Sequence, residues 1–195
     1  VGLFIICGNT GLIQTSPDGI TWTVQTSGTT DNLNSIVFHG YGTIYEFYRF
    51  TSVGNGGRII ASINGIAWST QTSGTINNLN YVTRENETSS ATDLLVVGNN
   101  NTFLIGDQGL AYYPVSGMPA GSAILNKIYL PRRVGFPKGI IIGNGGVLYR
   151  TTNGSYDNWA TITTGTGAAL KSVAYNATIN KYIITFFLNN IIYVN

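Results

Sequence analysis

The chain has 195 residues, of which 43 % are hydrophobic and only 9 % charged, with ten Lys and Arg against eight Asp and Glu. That is enough apolar material for a core, and the charge share lies far below the roughly one quarter usual in soluble domains. The formal charge of +2 is spread without runs of either sign, which argues against a nucleic-acid surface, since phosphate tracking needs clustered cations.

The chain opens on "VGLFIICGN", a strand-like run with neither the basic start nor the small-residue cleavage site of a signal peptide. Apolar runs such as "IIIG" and "YIITFF" are strand-length, well short of the ~18 residues that span a bilayer. Cys7 is the only cysteine, so no intrachain disulfide is available, and its neighbours mark it as a small core hydrophobe.

Self-similarity organises everything that follows. Gly-Asn recurs at Gly8, Gly54, Gly98 and Gly143, in steps of 46, 44 and 45, and one further step of 45 reaches Leu188-Asn189. Independently, Leu33, Leu79, Leu125 and Leu170 recur in steps of 46, 46 and 45, the first three followed by Asn and the last by Lys171. Apolar residues precede each Gly of the first series (Cys7, Val53, Val97, Ile142) and return five residues after it (Ile13, Ile59, Phe103, Leu148). The Gly-Asn-x-Gly words between them suit tight hairpins, because Gly and Asn accept positive φ. A second turn follows at Asp18-Gly19, Asn64-Gly65, Gln108-Gly109 and Asn153-Gly154, each ahead of an aromatic: Trp22, Trp68, Tyr112 and Trp159, the last two residues late.

Each unit thus reads as four short strands, as in "LNSIVF", "FYRFTSVG", "GRIIASI" and "AWSTQT", with a polar crossover to the next; helical periodicity is absent. A four-stranded sheet has two apolar faces and cannot cover both alone, so neighbouring copies must flank it. The prediction is an all-β propeller in one domain, with units near 1–32, 33–78, 79–124, 125–169 and 170–195. The first unit lacks its inner strand and the last its outer strand, giving eighteen strands and, as the simplest closed object, a five-bladed ring, with a larger ring completed by further sequence or another chain as the alternative.

"SPDGITW", residues 16–22, resembles the Asp-box of the sialidase-like (BNR) propellers, one residue shorter than the usual form. "SINGIAW" keeps Ser62, Gly65 and Trp68 with Asn64 in place of Asp, while "GDQGLAYY" and "TTNGSYDNW" keep little beyond Gly109 with Tyr112 and Gly154 with Trp159. The resemblance implies a structural role: the acidic residue accepts backbone N–H bonds inside its turn, and the aromatic packs between sheets. The fuller pattern "VGNGGxIxxSxxGxxWxxQTSGTxxNLNxV" is similar to propeller repeats of bacteriophage tail and fibre proteins, to photosystem II assembly-factor propellers and to sialidase-like exported bacterial proteins. Low charge with abundant Thr, Asn, Gly and Tyr fits a virion surface better than a metabolic enzyme.

Catalytic chemistry finds no support. The family's sialidases use three arginines with a Tyr–Glu pair; here Arg49, Arg58, Arg84, Arg132, Arg133 and Arg150 fall at unlike repeat positions, and the glutamates are only Glu46, Glu85 and Glu87. One histidine, His39, and one cysteine leave no zinc set. The "GNGG" words lead from strand to strand rather than into a helix, so they are hairpins and not phosphate loops. The glycosylation-like words at Asn86, Asn100, Asn153 and Asn176 are expected by chance in so Asn- and Thr-rich a chain.

Two insertions break the repeat at the same connection of successive units. "TRENETSSATD" (83–93) gathers acids, and "YLPRRVGFPKG" (129–139) gathers Arg132, Arg133 and Lys138, a bipolar pair suited to a partner protein. Tyr112 is expected in the core and Tyr113 exposed, as a ring on which a sugar could stack. The sequence therefore predicts a non-enzymatic structural or attachment module of a phage particle, on the virion surface, without cofactor, metal, nucleic acid or membrane insertion. Its partners would be other virion proteins or a host receptor or glycan, with homo-oligomerisation open; a lectin-type propeller is the alternative, a glycoside hydrolase a distant third, and a secreted or cell-surface bacterial protein the other location.

Overall fold

A computed structural model describes residues 2–39, 50–84, 93–107, 110–130, 139–151, 156–176, 178–186 and 190–194. Five antiparallel sheets follow one another along the chain. The first holds β1 (Phe4–Cys7), β2 (Ile13–Ser16) and β3 (Thr23–Gln25); the second β4 (Leu33–Phe38), β5 (Phe50–Gly54), β6 (Ile59–Ser62) and β7 (Ser69–Gln71). The third holds β8 (Leu79–Arg84), β9 (Asp93–Gly98), β10 (Phe103–Asp107) and β11 (Ala111–Pro114); the fourth β12 (Leu125–Tyr129), β13 (Ile140–Gly143), β14 (Leu148–Thr151) and β15 (Trp159–Thr161). The fifth holds β16 (Leu170–Asn176), β17 (Lys181–Phe186) and β18 (Asn190–Val194). Strands join in chain order in every sheet, the up-and-down arrangement of propeller blades.

Alternation places one set of side chains forward, toward the next sheet, and the other to the rear. Ile5, Cys7 and Ile13 meet Leu33, Ile36 and Ile60 at the first junction. Val53 and Ile59 meet Leu94, Val96 and Leu104 at the second; Leu95, Val97 and Phe103 meet Ile141 and Tyr149 at the third; Ile140, Ile142 and Leu148 meet Val173, Tyr182 and Ile184 at the fourth. Cys7 is half-buried in this packing, and burial pushes its thiol pKa up, as befits a core hydrophobe. Among the described residues no apolar cluster joins the fifth sheet to the first.

The Gly-Asn-x-Gly words are tighter than simple hairpin loops. They form 3₁₀ turns at Asn9–Gly11, Asn55–Gly57 and Asn144–Gly146, whose last two residues have positive φ. The third copy places Asn100 and Asn101 in the same left-handed region (φ 53° and 54°), the substitution Asn tolerates best after Gly. Gly57 is required for a second reason: a Cβ there would lie 1.9 Å from the Thr75 carbonyl oxygen of the "TSGT" crossover.

Each inner strand carries a bulge at its Leu-Asn word, between Leu33 and Ser35, Leu79 and Tyr81, Leu125 and Lys127, and Leu170 and Ser172. A bulge leaves one residue out of the ladder and re-aims its side chain. Asn34 Nδ2 donates to Asn55 Oδ1 (3.0 Å) in its own sheet and to the Leu79 carbonyl (2.8 Å) in the next. Asn80 does the same to Asn99 and Leu125, and Asn126 to Asn144 and Leu170. Lys171 stands at this position in the fifth sheet, and its Nζ turns back to Asn144 Oδ1 at 3.4 Å.

Candidate functional site

Strand alternation sends the connections to two ends of the molecule. The 3₁₀ turns and the crossovers share one end; the turns ahead of the aromatics and the facing ends of β8, β9, β12 and β13 share the other.

At the crossover end the two recurrent words lock together. Thr164 Oγ1 donates to the Gly146 carbonyl of the turn at 2.9 Å, while Ser27 Oγ and Ser73 Oγ donate to the Thr29 and Thr75 carbonyls inside their own crossovers at 3.2 and 3.0 Å. Asn32 and Asn78 side-chain oxygens accept from the Thr10 and Gly56 backbone N–H groups. Open grooves of 640 and 550 Å³ run along the first and second crossovers, over Thr26–Asp31 and Thr72–Asn77. The first groove carries Arg58 Nε on Asp31 Oδ2 at 2.8 Å, which holds the Asp31 carboxyl below its ordinary range. Both side chains are about one third exposed, so the pair is worth at most about 1 kcal/mol.

At the opposite end Ser16, Asp18 and Gly19 build a closed turn. Asp18 Oδ1 accepts from the Ile20 and Thr21 backbone N–H groups, both at 2.8 Å, and from Ser16 Oγ at 2.9 Å; Gly19 N–H donates to Ser16 Oγ at 2.8 Å. These bonds, the one from Thr21 foremost, pull the Asp18 carboxyl down to about 2. Asn64 accepts from Ile66 and Ala67 at 2.9 and 3.0 Å, so an amide oxygen serves the turn as well as a carboxylate. Gly65 sits on the first sheet, where a Cβ would lie 2.6 Å from Ile5 Cδ1.

The aromatics all lie to the rear of their sheets, and their burial differs. Trp159 is buried, edge-to-face with Phe103 (5.7 Å, 85°), and its Nε1 donates to the Tyr156 carbonyl at 2.7 Å. Trp68 repeats that capping bond to the Gly65 carbonyl at 3.0 Å and packs on the Ile13, Leu33 and Ile60 cluster, but is only half-buried. Trp22, expected to pack between sheets, is also half-buried and belongs to none of the core clusters among the described residues. The two-residue delay of Trp159 is absorbed in the turn: Trp159 pairs with Thr151 and Ala160 with Arg150, in step with Ser69 and Ala61.

Tyr112 is buried against the second sheet; its hydroxyl, beside Thr51, is pushed up to about 12 by burial. Thr51 Oγ1 lies 2.9 Å from His39 Nε2, and burial, with a smaller contribution from the charge of Arg84, lowers His39 to about 4. At the residue after the turn glycine, the same position is apolar and open in three successive sheets: Ile20, Ile66 and Leu110 are 84, 56 and 49 % exposed. Tyr113, next to this row on β11, is 60 % exposed. Sequence reading missed the aliphatic row, although its signal was present: Ile20, Ile66 and Leu110 each follow the turn glycine, 46 and 44 residues apart.

Gly109, Gly154, Arg132, Arg133 and Lys138 lie outside the described residues, as do most of the acidic loop and Arg49, Glu46, Glu85, Glu87, Asn86 and Asn153. Among the described residues no three His, Cys, Asp or Glu side chains gather as a metal set would require, and no helix is long and apolar enough to cross a membrane.

No family model matches the chain, and no curated protein does. Solved structures do. YCF48 bound to D1 peptide aligns with 98 % of this chain and 61 % of its own, with TM-score 0.67 and 13 % identity. YCF48 from Cyanidioschyzon merolae aligns with 93 % of this chain and 60 % of its own, with TM-score 0.59 and 13 % identity. The chain spans about three fifths of the length of these structures. At such identity the likeness is one of fold: the chain is an all-β propeller of successive antiparallel blades.

Proposed function

We propose that this propeller is a non-enzymatic protein-interaction module whose contact surface is the end bearing Ile20, Ile66, Leu110 and Tyr113. The observation that carries the reading is the recurrence of a solvent-facing aliphatic at one repeat position in three neighbouring sheets. A lone exposed aliphatic is ordinary, whereas a periodic set presents a surface of several contacts spaced by the blades. The solved neighbour with a bound peptide supports a polypeptide partner. We place the module on a phage particle, as a structural or attachment component bound to another virion protein or a host receptor; low charge and the Thr-, Asn- and Gly-rich composition support that setting.

The test is a display screen of apolar extended peptides against the immobilised protein, repeated with Ile20→Ser, Ile66→Ser and Leu110→Ser together. Peptides bound by the parent and released by the triple variant are expected; equal binding by both overturns the reading. Detection of the chain in purified particles by mass spectrometry tests the virion setting. A lectin remains the second reading because Tyr113 exposes most of its ring: glycan-array binding lost in Tyr113→Ala would favour it over the peptide-binding surface.

A further inference from the structure

Two Asn-Gly words at the crossover end are spelled alike and held differently. Gly54-Asn55-Gly56-Gly57 and Gly143-Asn144-Gly145-Gly146 are the same four residues. Their 3₁₀ turns share one backbone, with φ 63° and ψ 25° at Gly56 and φ 66° and ψ 26° at Gly145. The Gly56 N–H donates to Asn78 Oδ1 at 2.9 Å, as the Thr10 N–H does to Asn32 Oδ1 in the first sheet. Ala169 stands at that repeat position ahead of the fifth sheet, and its methyl group accepts nothing. Among the described residues the N–H of Gly145, itself exposed, has no hydrogen-bond partner.

The two asparagine side chains differ as well. Among the described residues Asn55 Oδ1 accepts only from Asn34 Nδ2, at 3.0 Å. Asn144 Oδ1 accepts from Asn126 Nδ2 at 2.8 Å and also meets the Lys171 ammonium, whose Nζ lies at 3.4 Å. That cation is present because Lys171 replaces the bulged Asn of the other sheets. A positive charge at an amide oxygen stabilises the negative charge that develops there when the amide carbon is attacked. Elsewhere, in Asn64-Gly65, the glycine N–H is held by Ser62 Oγ at 2.8 Å.

We propose that Asn144 is a site of spontaneous deamidation, favoured by the fold over the identical word at Asn55. The Gly145 nitrogen gives its proton to hydroxide and attacks Asn144 Cγ. The Cγ–Nδ2 bond breaks, ammonia leaves with a proton from water, and a cyclic succinimide remains. Water then opens the ring at either carbonyl, giving aspartate or isoaspartate at position 144. At Gly56 the bond to Asn78 must break before attack, whereas at Gly145 nothing has to be given up. The Lys171 charge favours both the deprotonated nitrogen and the product carboxylate. An aspartate product still accepts from Asn126 and gains an ion pair with Lys171, so the tether between the fourth and fifth sheets persists with added negative charge. The site involves neither the aliphatic row nor Tyr113, and so stands apart from the functional reading above.

Peptide mapping by mass spectrometry, on the full chain aged for weeks at mildly alkaline pH, tests it. Aspartate and isoaspartate are expected to accumulate at position 144 about fivefold or more faster than at position 55, the factor that one net hydrogen bond is worth. In strong urea the fold is gone, and the two identical words are expected to react at equal rates. Ala169→Asn supplies an acceptor for the Gly145 N–H and Lys171→Asn removes the charge, so each is expected to slow position 144 toward the rate at position 55. Asn78→Ala frees the Gly56 N–H and is expected to speed position 55. Unfolding midpoints equal to the parent's would show that the variants are folded. Three results overturn the proposal: position 144 reacting no faster than position 55, a difference as large in urea as in the folded chain, or an unchanged rate in both Ala169→Asn and Lys171→Asn.

Discussion

The two ends of the propeller are built from the same number of turns per repeat and yet differ in what they do with their polar groups. At the crossover end, the side chains of Thr164, Asn32 and Asn78 bond the backbone of the adjoining turn while Ser27 and Ser73 bond within their own crossovers, and Gly57 allows the crossover within touching distance. At the other end the turns satisfy themselves through Asp18 and Asn64, which leaves the aliphatic nearby, Ile20 or Ile66, exposed. A turn that is closed internally has no need to lean on its neighbour. Its outward residue can then be chosen for a partner instead of for the fold.

Trp159→Ala should break this comparison most severely. Deleting a buried indole that packs on Phe103 is expected to cost about 3–5 kcal/mol, read from urea unfolding. Trp68→Ala should cost about half as much, because its site is half-exposed. Equal losses would show that burial does not grade the aromatics.

The second test is acidity at the contact end. His39 is charged near pH 6.5 when unfolded but only near 4 when folded, so the unfolded chain binds the extra proton between those values. The contribution is whole above the unfolded value and lost as pH falls toward 4, on the order of 3 kcal/mol across that window. In His39→Gln the slope of stability against pH over that window should flatten; an unchanged slope would assign it to other groups.

Gly57→Ala and Gly74→Ala sharpen the crossover end. Both glycines have φ near +72°, but only Gly57 faces the Thr75 carbonyl, whereas open space surrounds Gly74. Losses of about 3 and 1 kcal/mol are expected respectively, and thermal denaturation distinguishes them. The smallest effect belongs to Ile20→Ser and Ile66→Ser, within about 0.5 kcal/mol of the parent stability, since these side chains are already in water. A larger loss would mean that they hold the fold and do not serve as a surface.

Much of the architecture was legible because the repeat constrains it twice, through Gly-Asn and Leu-Asn words that keep a common period. Strand order, turn positions and the placement of Tyr112 in the core follow from that period and from alternation. The bulge at Leu-Asn was not legible, because a residue displaced from the ladder has the same spacing as one within it. The partial exposure of Trp22 and Trp68 was hidden as well: their identities match Trp159, and the repeat does not say what packs against each ring, as Phe103 does against Trp159. The contact end was read through its insertions, whereas the aliphatic row lay inside the repeat and passed as ordinary turn sequence.

The doubly bonded asparagines set the distance between blades by a polar tether near the axis. Apolar residues at the junctions are then relieved of dictating pitch, and they vary freely: one rear position is Ile6, Ser52, Val96 and Ile141 in successive sheets. A gene that grows by copying a unit can tolerate such drift, because each new copy brings its own ruler with it.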